Sequence, residues 1–215
     1  MNGKPTDSEC LFRASAFGHA STVSALIAGG ADPNERDEYG RTPLYFASGG
    51  GHASTVSALI AGGADPNVAG NEGWAPIHHA ANLFDKNVVA SLLAGGANPN
   101  ARLDDGRTPL HLVATQKNTD VMEVLLAGGA DPTARCERGR TPRDCSHGLR
   151  GHALLDAAYR EAELDAALPP AVSRMDALEA ENTLLRQQRD ALRGALEGVL
   201  SSEPAPVVLP PKKRF

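Results

Sequence analysis

The sequence predicts an all-α protein in which about five helix–turn–helix repeats stack into a solenoid, followed by a short amphipathic or coiled-coil helix. Two motifs with a 33-residue period predict the repeats. Gly-Ala-Asp-Pro, once as Gly-Ala-Asn-Pro, begins at Gly30, Gly63, Gly96 and Gly129. Gly-Arg-Thr-Pro, once as Gly-Trp-Ala-Pro, begins at Gly40, Gly73, Gly106 and Gly139. A heptad pattern of apolar residues after residue 170 predicts the final helix.

Local signals place two short helices in each repeat. Thr42 and Thr108 are each followed by proline, and this pair begins a helix because the hydroxyl caps free backbone amides and proline needs no donor there. The second helix carries apolar residues such as Val56 and Leu59 on one face and ends at paired glycines. Asp-Pro-Asn then forms a turn. A single unit cannot bury its apolar face, so stability must come from stacking.

These landmarks, in one register, resemble the ankyrin repeat family, whose pattern is G-x-TPLH, a helix pair, LL-x-x-GADxN and a hairpin. The resemblance covers about three-quarters of the chain and implies a repeat domain over residues 1–168. We expect a first unit without its opening hairpin, three full units and a closing unit, over about 7–39, 40–72, 73–105, 106–138 and 139–168. Departures from the family pattern include Tyr45 in place of histidine, Ala75 in place of the capping threonine, and Phe84-Asp85 and Lys117-Asn118 in place of Gly-His.

The resemblance implies a curved solenoid whose hairpin tips and first helices form a concave protein-binding groove. By register with variable positions of that groove, the candidate contact residues are Arg36, Glu38, Tyr39, Arg41, Asn71, Glu72, Trp74, Arg102, Asp104, Asp105 and Arg107. Trp74 is the chain's only tryptophan, and tryptophan, tyrosine and arginine are common interface anchors. The alternative is that Trp74 packs on a neighbouring hairpin. Leu83 and Phe84 either extend the surface or repack the space left by the missing Gly-His.

No motif indicates catalysis, a cofactor, a small-molecule substrate or a metal. The sequence has no P-loop, no G-x-G-x-x-G after a strand, no H-E-x-x-H and no G-x-S-x-G. His78 and His79 are adjacent, so on a helix their side chains point in different directions, and no further ligands follow at suitable spacing. His78 occupies the TPLH position, where the resemblance implies a hydrogen bond across the turn.

The composition limits which cellular compartment and which classes of partner we expect. The three cysteines are odd in number and lack CxxC spacing, which favours a reducing compartment. No apolar signal region or membrane span is present, so we expect a cytoplasmic protein, with secretion as an effector or nuclear import left open. The net charge of -5 disfavours broad attraction to nucleic acid or to an acidic membrane.

A different composition follows Pro169 and Pro170, which mark a domain boundary. Residues 171–200 predict a coiled-coil or amphipathic helix, whose candidate dimerisation residues are Met175, Leu178, Asn182, Leu185, Leu192, Leu196 and Val199. Asparagine at an a position, as Asn182 would be, favours a parallel two-stranded coil. The alternative is a lone helix that docks on the last repeat or on the partner. Residues 201–215 predict a disordered proline-rich tail with a basic end.

Together these patterns predict a non-enzymatic adaptor or inhibitor. It binds a protein partner of unknown identity through the groove and forms a parallel homodimer through its C-terminal helix. The alternatives are a nucleic-acid-linked regulator that uses the coil and the basic tail, and a secreted effector that acts on host proteins. A basic region before the coil is absent, which disfavours a DNA reader of the leucine-zipper type.

Overall fold

The structure is a computed structural model that describes residues 6–115, 119–146 and 148–167. Within these ranges the chain forms helices joined by turns, without a strand, and the predicted all-α repeat fold is confirmed. The predicted coiled coil over 171–200, with its seven dimerisation candidates, and the tail over 201–215 lie outside the described residues. Residues up to Asp165 form one compact unit, and the second unit begins at Ala166.

Ten α-helices make up the described part of the chain. The first helices of successive repeats are α1 (Asp7–Ala16), α3 (Pro43–Gly49), α5 (Pro76–Asn82), α7 (Pro109–Ala114) and α9 (Pro142–Cys145). The second helices are α2 (Ala20–Ala28), α4 (Ala53–Ala61), α6 (Lys86–Ala94), α8 (Thr119–Ala127) and the longer α10 (Leu149–Ala167).

The helices form two rows. Each first helix packs against the next first helix from α1 through α9, and each second helix packs against the next from α2 through α8. Fully buried apolar side chains fill the space between the rows, among them Leu44, Leu59, Ile77, Leu92, Leu110 and Leu125. Because this burial repeats from unit to unit, neighbouring repeats stabilise one another.

Threonine precedes four of the five first helices, and Ala75 precedes α5. The two predicted caps, Thr42 and Thr108, differ from each other. The Thr42 hydroxyl accepts a hydrogen bond from the Tyr45 amide at 3.3 Å. At the start of α7, His111 Nδ1 instead accepts from the Thr108 amide at 3.2 Å and lies 2.9 Å from the Thr108 hydroxyl. The imidazole is therefore the N3 side chain of a capping box, which accepts a hydrogen bond from the amide of the capping residue itself.

The paired glycines that end the second helices have separate roles. A Cβ at Gly62 would lie 2.7 Å from Ile27 Cδ1 of the preceding repeat, so a side chain here would force Ile27 to move. The same close approach recurs between Gly95 and Ile60 and between Gly128 and Leu93. The second glycine of the pair, Gly63, has open space around it but a φ of 92°, a left-handed conformation that favours glycine.

A ladder of asparagine hydrogen bonds joins successive repeats at the turns that follow the second helices. Asn34 Nδ2 donates to the Gly63 carbonyl at 2.9 Å, and Asn34 Oδ1 accepts from the Asp65 amide at 2.7 Å. Asn67 repeats the pair of bonds with Gly96 and Asn98, and Asn100 repeats it with Gly129 and Asp131. Thr133 holds the next position, and its hydroxyl bonds within its own repeat, to Asp131 Oδ1 at 2.7 Å. The ladder therefore ends there.

Candidate functional site

Four turns, here called the tips, precede the first helices and span residues 37–41, 70–74, 103–107 and 136–140. A backbone hydrogen bond of 2.9 to 3.0 Å from the first to the fifth residue closes each tip. The fourth residue is always glycine, with φ values of 73°, 75°, 77° and 70° at Gly40, Gly73, Gly106 and Gly139. The fifth position holds arginine in three tips and Trp74 in the second. The tips thus present different side chains from one common backbone.

The first tip holds Arg41 in a fixed position. The Asp37 carboxylate accepts from the Tyr39 amide at 2.9 Å, from the Arg41 amide at 2.8 Å and from Arg41 Nε at 2.7 Å. Burial raises the pKa of Asp37, but these hydrogen bonds and the guanidinium outweigh it and lower the pKa below its ordinary value. The Arg41 guanidinium lies 4.7 Å from the Tyr39 ring centroid and 4.7 Å from that of Phe46.

Aromatic rings continue from Phe46 across three repeats, in a surface that we call the aromatic strip: Phe12, Phe46, Tyr45, His79 and Trp74. Ring centroids lie 5.8 Å apart for Phe12 and Phe46, and 5.7 Å apart for Phe46 and Tyr45. Tyr45 and His79 are 4.2 Å apart, and His79 and Trp74 are 4.8 Å apart. Every member is half-buried, so each ring keeps one part exposed. The contacts fix the rings before any partner arrives.

His78 and His111 hold the repeat position that Tyr45 holds in the second repeat, but unlike Tyr45 they are fully buried. His78 is fully buried; its Nδ1 accepts from the Ala75 amide at 3.2 Å and its Nε2 lies 3.1 Å from the Ala101 carbonyl. This bond supports the start of α5, where Ala75 offers no hydroxyl. Burial lowers the pKa of His78 to about 4, and it also lowers the pKa of His111, which is likewise fully buried and whose Nε2 lies 3.0 Å from the Arg140 carbonyl. Both histidines are structural, as expected for the TPLH position.

The tips and the first helices enclose three depressions in a continuous row, here called the trough. The first, of about 340 Å³, is lined by Tyr39, Arg41, Tyr45, Asn71, Trp74 and His79. The second, of about 190 Å³, is lined by Trp74, Leu103, Asp104, Asp105 and Arg107. The third, of about 320 Å³, is lined by Asp105, Arg107, Cys136, Glu137, Arg138 and Arg140. Trp74 separates the first two depressions, and the Asp105–Arg107 pair separates the last two.

Charged groups concentrate toward the third depression. Arg107 Nε contacts Asp105 Oδ2 at 2.6 Å, and hydrogen bonds from Arg107 outweigh burial and lower the pKa of Asp105. Cys136 takes the position that Asp37 has in the first tip. Burial raises the pKa of the Cys136 thiol, but hydrogen bonds from the Arg138 and Arg140 amides and from the Arg140 side chain outweigh it, so the pKa is lowered. The last tip therefore favours an anion at this position.

The structure brings together part of the predicted contact set. Seven of its residues line the trough: Tyr39, Arg41, Asn71, Trp74, Asp104, Asp105 and Arg107. Arg102 lies beside the last tip, where its Nη2 donates to the Arg135 carbonyl at 2.7 Å. Arg36 and Glu38 are exposed outside the three depressions. The side chain of Glu72 lies outside the described part of the chain.

Leu83 and Phe84 do not join the trough. They follow the C-terminal end of α5, whereas the second tip precedes its N-terminal end, about 10 Å away for a seven-residue helix. Leu83 is exposed, while Phe84 packs partly against the core. Phe84 has a φ of 59° and takes the position of Gly18 and Gly51, which also have positive φ. Phe84 thus holds a backbone position that glycine holds in the first two repeats, and its side chain packs against the core instead of lining the trough.

Sequence reasoning missed several residues of the aromatic strip and the trough: Phe12, Tyr45, Phe46, His79, Leu103, Cys136, Glu137, Arg138 and Arg140. A signal for most of them was present. Tyr45 and Phe46 precede His78 and His79 by one 33-residue period, so aromatic rings recur at the same two positions. The last tip lies in register with the other three, and carrying the contact positions forward by one more period identifies it.

No group of three or more histidine, cysteine or acidic side chains is placed to hold a metal ion in the described ranges. Likewise, none of the described helices has the length and apolar character needed to span a bilayer.

Comparison with known proteins identifies the repeats. A family model described as ankyrin repeats (3 copies) matches residues 11–102, and one described as ankyrin repeats (many copies) matches residues 92–145. No curated protein matches the chain. Ankyrin repeats are protein–protein interaction modules, and the family is typically non-enzymatic. Since the matches run over residues 11–145 of a 215-residue chain, the protein belongs to the ankyrin repeat family.

Proposed function

We propose that this protein is a non-enzymatic adaptor or inhibitor that binds a protein partner through the aromatic strip and the trough. The observation that carries the proposal is the aromatic strip. Its rings are held by contacts with one another and remain partly exposed, so a partner can bury large apolar surfaces without first ordering them. Trp74 lies where the aromatic strip meets the boundary between the first two depressions. It is therefore central to the combined surface, as expected of an anchor residue.

The pKa values of the ionisable groups in the trough and its tips favour a binding role over a catalytic one. The pKa values of Asp37 and Asp105 are lowered, so both carboxylates stay ionised near neutral pH, each held by an arginine of its own tip. A general acid or base needs a pKa nearer the working pH. Burial lowers the pKa of His79, which supports a neutral imidazole that packs between two rings.

The experiment uses Trp74→Ala, with Phe17→Ala as the matched control. Phe17 is an aromatic residue with 66% of its surface exposed and lies outside the trough, so its removal changes surface apolarity alone. The full-length chain serves as bait for affinity capture from its native source, and mass spectrometry names the partner, which is then titrated against each variant. We expect Trp74→Ala to weaken binding by roughly 30-fold, the effect of a hot-spot residue.

Equal affinity of Trp74→Ala and the wild type would remove Trp74 from the site. Far-ultraviolet circular dichroism of each variant verifies that the helices are intact. If Phe17→Ala weakens binding as strongly as Trp74→Ala, the partner does not recognise the trough.

We also propose that the heptads over 175–199 pair two copies of the chain in parallel, which presents the binding surface twice. The support is the sequence pattern, with Asn182 at an a position. Light scattering coupled to size exclusion should give a dimer for the full-length chain and a monomer for Leu185→Asp, in which a charge enters the predicted seam. A monomeric wild type at high concentration would contradict the proposal. The three free cysteines support a cytoplasmic location for this assembly.

A further inference from the structure

The last tip differs from the first and third tips because its arginines have no paired carboxylate within the tip. Arg41 is paired with Asp37, at the first position of its tip, and Arg107 is paired with Asp105, at the third position. In the last tip these two positions hold Cys136 and Arg138. Both positions that supply a carboxylate elsewhere therefore lack one, and among the described residues neither Arg138 nor Arg140 forms an ion pair.

The surroundings add to this positive character. Residues 135–140 carry three arginines and one acid, whereas the corresponding stretches of the other three tips have no net positive charge. Arg138 and Arg140 are exposed and line the third depression. Arg140 and the backbone amides at the base of the depression also hydrogen-bond the Cys136 sulfur, where the first tip holds a carboxylate. The geometry is therefore that of a carboxylate-binding turn whose first and third positions lack a carboxylate. Its one acid, Glu137, stands at the second position, and Asp105, which also lines the depression, is paired with Arg107.

The trough also fixes the distance between this depression and the aromatic strip. Neighbouring helices pack about 8–10 Å apart, so the first and third depressions, two repeats apart, are separated by about 20 Å. An extended peptide rises about 3.3 Å per residue, and about six residues span that distance.

We propose that the third depression binds a carboxylate of the partner, so that the bound segment places a large apolar side chain beside Trp74 and an aspartate or glutamate about six residues away. This inference rests on the function proposed above and adds the chemistry of the partner. The incoming carboxylate supplies Arg138 and Arg140 with the counter-ion that Asp37 and Asp105 provide in their own tips. Arginine suits this role because its guanidinium binds a carboxylate through two parallel hydrogen bonds.

An acidic peptide fits better than a nucleic acid. Asp104 and Asp105 line the second depression, between the aromatic strip and the last tip. A phosphate backbone along the trough would meet these carboxylates, and the net charge of -5 opposes a polyanion at longer range. A peptide carries charge only where its sequence places it, and it can cross the second depression with a neutral residue.

The test selects random 12-residue peptides, displayed on phage, against the immobilised full-length protein. Enriched peptides should carry a large apolar residue and an acid five to seven residues apart. An enriched peptide is then labelled with fluorescein and titrated by anisotropy against the wild type, Arg138→Ala/Arg140→Ala, Trp74→Ala and Arg160→Ala. Arg160 is an exposed arginine on α10, outside the trough, so Arg160→Ala is the matched control.

We expect Arg138→Ala/Arg140→Ala to weaken binding by about tenfold to hundredfold and Arg160→Ala to leave it unchanged. Exchanging the peptide's acid for its amide should weaken binding to the wild type by a similar factor, with little further loss on the double variant, because both changes remove the same contact.

Three results overturn the inference. If enriched peptides need Trp74 but show no preference for acids, the third depression does not bind carboxylates, and the proposed function stands without it. If no peptide is enriched, both proposals fail. In a separate titration, 20-nucleotide single strands of DNA and RNA are added; binding that depends on Arg138 and Arg140 and is tighter than that of the peptide would assign the depression to phosphate.

Discussion

Acidification from pH 7 to pH 4 is expected to destabilise the repeat array through His78. The side chain is fully buried between α5 and the following tip, and burial lowers its pKa to about 4. An unfolded chain exposes the imidazole, whose pKa is then about 6.5. Between these two values the unfolded state binds a proton that the folded state does not, so the free energy of unfolding falls as the pH falls.

The size of the effect follows from the two pKa values. Each pKa unit corresponds to about 1.36 kcal/mol, so the difference between about 6.5 and about 4 corresponds to about 3 kcal/mol. The stabilisation is fully present above pH 6.5 and is lost as the pH falls through 4. His111 contributes in the same direction, since burial lowers its pKa as well.

The assay is urea unfolding followed by circular dichroism at several pH values between 7 and 4, on the wild type, His78→Gln and His19→Gln. His78→Gln removes the titrating group, and His19 is an exposed histidine that serves as the control. The difference in unfolding free energy between the wild type and His78→Gln should shrink by about 3 kcal/mol over this range, while His19→Gln should follow the wild type.

Parallel curves for His78→Gln and the wild type would refute the reasoning, whatever their offset at pH 7. An independent measurement is the nuclear magnetic resonance titration of the histidine Cε1 protons. A His78 resonance that titrates near pH 6.5 in the folded protein would show that burial does not suppress its protonation.

Three further predictions concern packing, the ladder and the thiols. Gly95→Ala should lower the unfolding free energy by about 1–3 kcal/mol, because its Cβ would lie 2.5 Å from Ile60 Cδ1 of the preceding repeat. The control Gly29→Ala meets no side chain and should be nearly neutral. Equal urea midpoints for the two variants would contradict this prediction. Asn67→Ala removes two exposed hydrogen bonds and should cost about 1 kcal/mol in the same assay; no loss would show that the ladder is not stabilising. Iodoacetamide labelling followed by mass spectrometry should show Cys136 ionising at a lower pH than Cys145, whose pKa burial raises; coincident profiles would argue against the hydrogen bonds to Cys136.

Local and periodic features of the fold could be predicted from sequence. Helix starts, glycine stops and the 33-residue period each depend on a few neighbouring residues, and repetition confirms each signal several times. A family pattern nevertheless does not give side-chain packing. Tyr45 and His78 share one position of the repeat, yet His78 is fully buried and Tyr45 is half-exposed against His79. The phenol ring of Tyr45 contacts the rings of Phe46 and His79, so Tyr45 becomes part of the aromatic strip.

The third depression shows why part of the site was missed. Its character depends on which partner each arginine has, and a sequence motif does not report pairing. Arg107 and Arg140 hold equivalent positions after a glycine, but one is paired with Asp105 and the other faces Cys136. The distinction arises from two replacements at separate positions of the last tip. It becomes visible once the tips are compared as structures in register.

The asparagine ladder has a consequence for the length of the array. Each asparagine bonds to backbone groups 29 and 31 residues further along the chain, and the next asparagine repeats the pattern after 33 residues. Insertion or removal of one whole unit therefore leaves every remaining asparagine with a carbonyl and an amide, whereas any other change in length leaves donors and acceptors unmatched. The segment from Gly18 to Asn34 recurs unchanged from Gly51 to Asn67 and ends on such an asparagine. The chain can thus grow or shorten by units without the need for a new interface.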